Sequence, residues 1–329
     1  MYRERQLLKY VTRTKRGIEV GPYVNPLVPK RQGYDVITMD VFDAEQLRRK
    51  ASSDPEIPEA VISRIEEVDL VTSAVNIAEA VGNRFPSRQF DYVLSSHNLE
   101  HLPDPIRFLQ GCEQILAPGG VLSMAIPDHR FCFDYMRPVT VPSEWLEAYF
   151  EHRQRPTAAQ VFRHRSMESR LSDGTMAWGR WPHLPIVPLE NVKQAFDDWK
   201  AVRDSDSQEY RDAHCWTFTP ESFQLLIADL THLGLITLTS LEISRSIGCE
   251  FYAHLHKPAG TYPRKTKSQY YLEREKLFRA ARASWAVPLS SKVRWPMWVG
   301  GSFKIARDLA VTLRDSRFLA RLRGREKSA

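Results

Sequence analysis

Apolar residues in the first 135 positions fall in short runs, separated by stretches in which they recur at helical spacing. Residues 17–20 (GIEV) and 35–40 (DVITMD) read as short buried strands, each closing near an acidic residue or a glycine. Residues 68–72 (VDLVT) give a weaker third strand, 90–96 (FDYVLSS) a fourth and 121–127 (VLSMAIP) a fifth. Between the last two, Pro103-Asp104-Pro105 opens a predicted helix whose apolar positions are Ile106, Leu109, Ile115 and Leu116. It is expected to stop at the breaker cluster Ala117-Pro118-Gly119-Gly120. Strands alternating with helices predict an α/β fold with a mostly parallel sheet covered on both faces.

Residues 136–215 lose that rhythm. They are rich in Trp, His, Arg and Pro, with helical stretches near 143–153 and 190–202. Order returns at Thr219, an N-cap followed by Pro220 at the first helical position, with Phe223, Leu226, Ile227 and Leu230 on one face. Two final strands, 236–244 and 250–257, flank Ser246-Ile247-Gly248-Cys249 and predict an antiparallel edge hairpin. The expected divisions are 1–135 for cofactor binding, 136–215 as a helical insertion that caps the acceptor, 216–258 as the end of the sheet, and 259–329 as a basic helical extension.

Charge changes this picture in one place. The net charge of +6 conceals a tail: residues 261–329 hold 17 Lys/Arg against 5 Asp/Glu, whereas the rest of the chain is net acidic. The acidic remainder argues against a nucleic-acid partner. Four cysteines lie far apart without CxxC pairs, which fits a reducing compartment and neither a disulfide framework nor a zinc site. The charged start MYRERQLLKY does not read as a signal peptide, and no apolar run is long enough to span a bilayer. The expectation is a cytoplasmic protein.

The candidate chemistry begins at Glu19-Val20-Gly21, where the first strand meets the first helix. Ligands of open α/β sheets bind at the carboxyl ends of strands, and Gly21 would let the backbone approach one closely. Asp40 ends the next strand 19 residues later, the spacing at which an acidic side chain reaches ribose hydroxyls. Acidic residues also end many strands for no such reason. The loop Gly21-Pro22-Tyr23-Val24-Asn25-Pro26 has one glycine and two prolines, so a pyrophosphate cradle of the G-x-G-x-x-G kind is poorly supported. A phosphate-free nucleoside suits it better.

The series IEVGP, VITMD, FDYVLSSHNLEHLPDP and LAPGGVLSMAIPD resembles class I S-adenosylmethionine (SAM) dependent methyltransferases of the type 11 group. The resemblance covers residues 15–135 and, more weakly, 215–258. It implies a Rossmann-like methyltransferase sheet and SAM as cofactor. More narrowly, GPYVNPLVPK, IPDHRFCFDY and CWTFTPESF look like a bacterial subgroup often found with glycosyltransferases. Two departures stand out: Tyr23 and Asn25 replace later glycines of the cofactor loop, and Ser73 stands near the place of an acidic residue after strand three.

The resemblance puts Glu19 by the methionine amino group, Gly21 against the cofactor backbone, Asp40 on the ribose and Ser96 at the methionine end. Glu100 and His101 match the family's glutamate-histidine pair, either acting directly or forming a network that orients the loop. Asp128 and Arg130 follow strand five and, with His214 and Trp216, are expected to bind the acceptor. If the acceptor is a hydroxyl, a histidine serves as base, in the order His97, His129, His101. No histidine has HExxH-like spacing, so no metal is expected.

Five tryptophans (Trp145, Trp178, Trp181, Trp199, Trp216) fall in 136–216 and none before, which suits stacking on sugars or, equally, a cap core. The leading expectation is O-methylation of a sugar or glycan-linked hydroxyl, with a glycosyltransferase as partner. The alternatives are a methyltransferase for a small metabolite or lipid head group, and a degenerate SAM-fold module that binds partners in a glycan-assembly complex. Residues 303–315 predict an amphipathic helix, which with Arg317, Arg321, Arg323 and Arg325 would give peripheral contact with an anionic inner membrane face, or else pack on the chain itself.

Overall fold

A computed structural model describes residues 2–55, 57–179, 184–204, 211–260 and 265–285. Its centre is a seven-stranded sheet of β1 (Arg16–Val20), β2 (Asp35–Asp40), β3 (Leu70–Val71), β4 (Phe90–Ser96), β5 (Leu116–Pro127), β6 (Thr239–Ile243) and β7 (Glu250–His256). The spatial order is β3-β2-β1-β4-β5-β7-β6. The first five strands are parallel, and β7 runs antiparallel between β5 and β6. This is a Rossmann-like, mostly parallel sheet with an antiparallel edge hairpin, as the alternation of strands and helices predicts. Strand order reverses between β1 and β4, so a crevice opens above their carboxyl ends.

Central strands read as apolar runs because helices cover both faces. Ile18, Tyr92, Val93, Leu94, Leu122 and Met124 are all fully buried. Gly17 on β1 has a specific cause: a β-carbon there would overlap the ring of Tyr92 on the paired strand β4.

Local signals act as expected at two helix starts. Asp104 caps helix Pro105–Ile115 by accepting from the amide of Arg107 at 3.0 Å, and Thr219 caps Pro220–His232 by accepting from Ser222 at 3.1 Å. The cluster Ala117–Gly120 behaves differently. The helix ends before it at Ile115, and the cluster itself lies within β5, where the pairing with β4 shifts register between Phe90 and Tyr92. Gly119 takes a positive φ of 80° and its amide donates to the carbonyl of Lys257. The glycines thus form an irregularity inside the strand.

Residues 136–215 supply helices Pro142–Phe150, Ala158–Ser166 and Val192–Arg203, and a small antiparallel pair, Ser169–Leu171 with Ile186–Pro188. The first helix is not separate from the main core: Trp145 is fully buried, edge-on to both Trp216 and Phe218. Beyond the sheet, helix Lys267–Trp285 docks on Pro220–His232. Arg274 grips Asp229 through two nitrogens, each at 2.9 Å, and Tyr270 donates to the same carboxylate. The expected amphipathic helix 303–315 and the arginines after it lie outside the described residues. Among those described, no helix is long and apolar enough to cross a membrane.

Candidate active site

A cleft lies at the carboxyl ends of β1 to β4, lined by Gly21, Asp40, Phe42, Ser73, His97 and His101 among others. Gly21 has φ +64°, and a β-carbon built there meets nothing within 4 Å, so the space above the turn is free for a ligand. Asp40 stands across from it at the end of β2, with Phe42 and Ala74 as apolar wall. Burial raises the Asp40 carboxyl above its ordinary range, against amide hydrogen bonds from Phe42 and Val41. A glycine that leaves the turn open, a carboxylate at the next strand end and an apolar wall fit a nucleoside such as that of SAM.

Three residues expected at the cofactor or acceptor turn out to be engaged elsewhere. Glu19 is buried, and its two carboxylate oxygens accept from the amides of Leu27 at 2.7 Å and Val28 at 3.2 Å. It therefore shapes the loop after β1 and is not part of the cleft lining; burial lifts its pKa to about 7 in spite of those amides. Ser96 accepts from Arg3 of the N-terminal helix, which also pairs with Glu250 at 3.2 Å. Trp216 is 2% exposed and donates its indole hydrogen to the carbonyl of Leu102 at 2.5 Å, so it has no face for an acceptor.

Asp128 and Arg130 form a closed pair. Asp128 is fully buried and takes Arg130 on both oxygens (2.5 and 2.9 Å) and the hydroxyl of Ser246. His214 is buried too, with Nδ1 donating to Asp134 at 2.5 Å. Asp134 pairs in turn with Arg137 at 2.6 Å, and these partners hold its carboxyl far below the usual range although burial opposes it.

The three candidate bases have different fates. His97 lines the cleft at φ +48°, with its backbone N–H donating to the carbonyl of Ala125 at 3.0 Å. Its Nε2 lies 2.6 Å from Glu250 and its Nδ1 3.5 Å from Glu100. Burial disfavours its charged form, but these two carboxylates outweigh it and bring the pKa up to about 9. Both carboxylates thus favour the charged, donating form of the ring at the cleft, which makes His97 a poorer proton acceptor than its place after β4 suggests. His129 is buried away from the cleft lining, and burial pushes its pKa down. His101 lines the cleft with Nδ1 bound to Asp212 at 2.7 Å, a partner that raises its pKa against burial.

Spacing along the chain gives no signal for Glu250 or Asp212, which reach the site from 153 and 111 residues away. Trp178 also belongs here: it is 46% exposed, stacks on Phe133 (centroids 5.9 Å apart, planes at 24°) and stands 5.7 Å from the His97 ring.

A family model described as a methyltransferase domain matches residues 3–230. Among solved structures, the chain is similar to the N-methyltransferase NodS from Bradyrhizobium japonicum (12% identity, 78% of this chain and 95% of that one, TM-score 0.34). It is also similar to a SAM-dependent methyltransferase from Methanosarcina mazei (13%, 77% and 96%, TM-score 0.36). A protein from Pyrococcus horikoshii is a third (14%, 78% and 91%, TM-score 0.38). No curated protein matches the sequence.

Proposed function

Because the chain belongs to the class I SAM-dependent methyltransferases, we propose that it methylates a hydroxyl of a sugar or glycan-linked acceptor seated against Trp178. The observation that carries this reading is the exposed indole, held flat on Phe133 beside the cleft histidine His97. An indole fixed by a second ring is a rigid apolar platform, suited to the C–H face of a sugar. SAM supplies a methyl group on a sulfonium that leaves readily, so the chain has mainly to align the acceptor. Gly21 and Asp40 hold the nucleoside end, while His97, fixed by Glu250, stands between that cleft and the platform. Under this reading a glycosyltransferase makes the acceptor.

The test is transfer from labelled SAM to a panel of oligosaccharides and amines, with Trp178→Ala alongside the wild type. Loss of one aromatic stacking partner is worth about 0.5–1.5 kcal/mol, so acceptor KM should rise severalfold to about tenfold while S-adenosylhomocysteine binding is unchanged. Transfer to amines alone, or identical kinetics in Trp178→Ala, would remove the proposal.

A further inference from the structure

Beside the cleft, three side chains from two distant segments converge. One oxygen of Glu100 and one nitrogen each of His101 and His214 lie within 4.8 Å of one another. Glu100 is fully buried, and neither of its carboxylate oxygens has a hydrogen-bond partner. Leaving a buried carboxylate without hydrogen bonds costs several kcal/mol unless something else compensates it. The compensation present is ionic: His97 Nδ1 at 3.5 Å and His101 Nε2 at 3.8 Å, with His214 nearby, hold the carboxyl below its ordinary range although burial opposes them.

The orientation of the two histidines adds a separate observation. Each gives its Nδ1 to a carboxylate, His101 to Asp212 at 2.7 Å and His214 to Asp134 at 2.5 Å. That places a proton on Nδ1 of each ring and makes Nε2 the nitrogen able to ligate, the one His101 already turns toward Glu100 at 3.8 Å. A carboxylate behind each ligating histidine is the usual outer shell of a metal centre, where it orients the ring and raises its basicity. The rings meet edge to face, 4.5 Å between centroids, which keeps both close to Glu100.

We propose that Glu100, His101 and His214 bind a divalent first-row transition-metal ion. Two imidazoles and one carboxylate suit zinc, cobalt, iron or manganese and do not suit magnesium or calcium, which take all-oxygen sets. Three protein ligands leave the ion at least one coordination position for water or another oxygen. His101 also lines the cofactor cleft, so the ion would stand at the cleft wall. An acceptor hydroxyl bound there would lose its proton to water more readily. That role rests on the acceptor reading above, whereas the site itself does not.

The experiment uses the full chain, stripped with a chelator and titrated with Co2+, whose visible absorption reports coordination, and with Zn2+ in a calorimeter. One ion per chain is expected in both. Asp212→Asn touches no proposed ligand atom and should weaken Zn2+ binding about ten- to a hundredfold, the usual cost of losing an outer-shell partner. His101→Ala should abolish the cobalt absorption. Circular dichroism of the stripped variants guards against misfolding, since His101 and Asp212 are partly exposed. Absence of cobalt absorption in the wild type, or wild-type affinity in both variants, would overturn the site. Binding is read without turnover, so a chain that takes up cobalt yet methylates no hydroxyl refutes the acceptor reading alone.

Discussion

Nε2 of His97 donates to Oε2 of Glu250 across 2.6 Å, joining the end of β4 to the start of β7. The pair fixes a ring whose backbone sits in the left-handed region, where a β-carbon is disfavoured. Glu250 is held on its other side by Tyr252 and Arg3. His97→Ala and Glu250→Ala should each destabilise the fold, because each leaves a largely buried charged partner without its mate. The double variant should lose less than the sum, with a coupling energy on the order of 1–3 kcal/mol. Urea unfolding of the four proteins measures it; strict additivity would show that the contact carries no energy.

Asp40→Ala should weaken S-adenosylhomocysteine at least tenfold. On the proposed reading it removes charge-assisted hydrogen bonds to the ribose, each worth roughly 1.5–3 kcal/mol. Calorimetry returning an unchanged affinity would sever Asp40 from the cofactor.

Trp216→Phe separates a core role from an acceptor role. The variant keeps one six-membered ring, removes the indole's second ring from a packed site and leaves the buried Leu102 carbonyl without its donor, at a combined cost of at least about 1–3 kcal/mol. Stability should fall by that amount while acceptor KM stays put. A raised KM at unchanged stability would return Trp216 to the acceptor site.

His254 on β7 predicts an acid limb of stability. Its side chain is fully buried against Ser123, and burial pushes its pKa down from 6.5 to about 4. The folded state thus disfavours the charged ring. The contribution is whole above pH 6.5 and is lost as pH falls toward 4, reaching roughly 3 kcal/mol there. Unfolding at several pH values should show His254→Asn losing less stability than the wild type over that window. Parallel loss in both proteins would place the titration elsewhere.

The sequence by itself determined the order of the elements and the two strand ends, at Gly21 and Asp40, that line one side of the cleft. Those features are encoded locally: apolar runs of strand length, capping residues Asp104 and Thr219 each followed by proline, and a glycine and an aspartate at consecutive strand ends. Each signal acts within a few residues, so it survives without knowledge of the fold. Even here, Ala117–Gly120 shows that a breaker cluster marks a helix end without saying that the next strand has already begun.

Only the tertiary structure decided what the polar residues do. Glu19 and Ser96 stand at the ends of strands that meet the cleft, yet one serves loop amides and the other Arg3. Asp128 and Arg130 neutralise each other, and His97 is claimed by Glu250. Glu100 and His101 meet His214 only because the segment preceding Thr219 hydrogen-bonds back to the carbonyl of Glu100 through the amides of Cys215 and Trp216. A polar side chain takes its role from the partners that surround it, and several of these come from far along the chain: Arg3 lies 93 residues from Ser96, Asp212 lies 111 from His101 and Glu250 lies 153 from His97. Spacing along one chain carries no record of them.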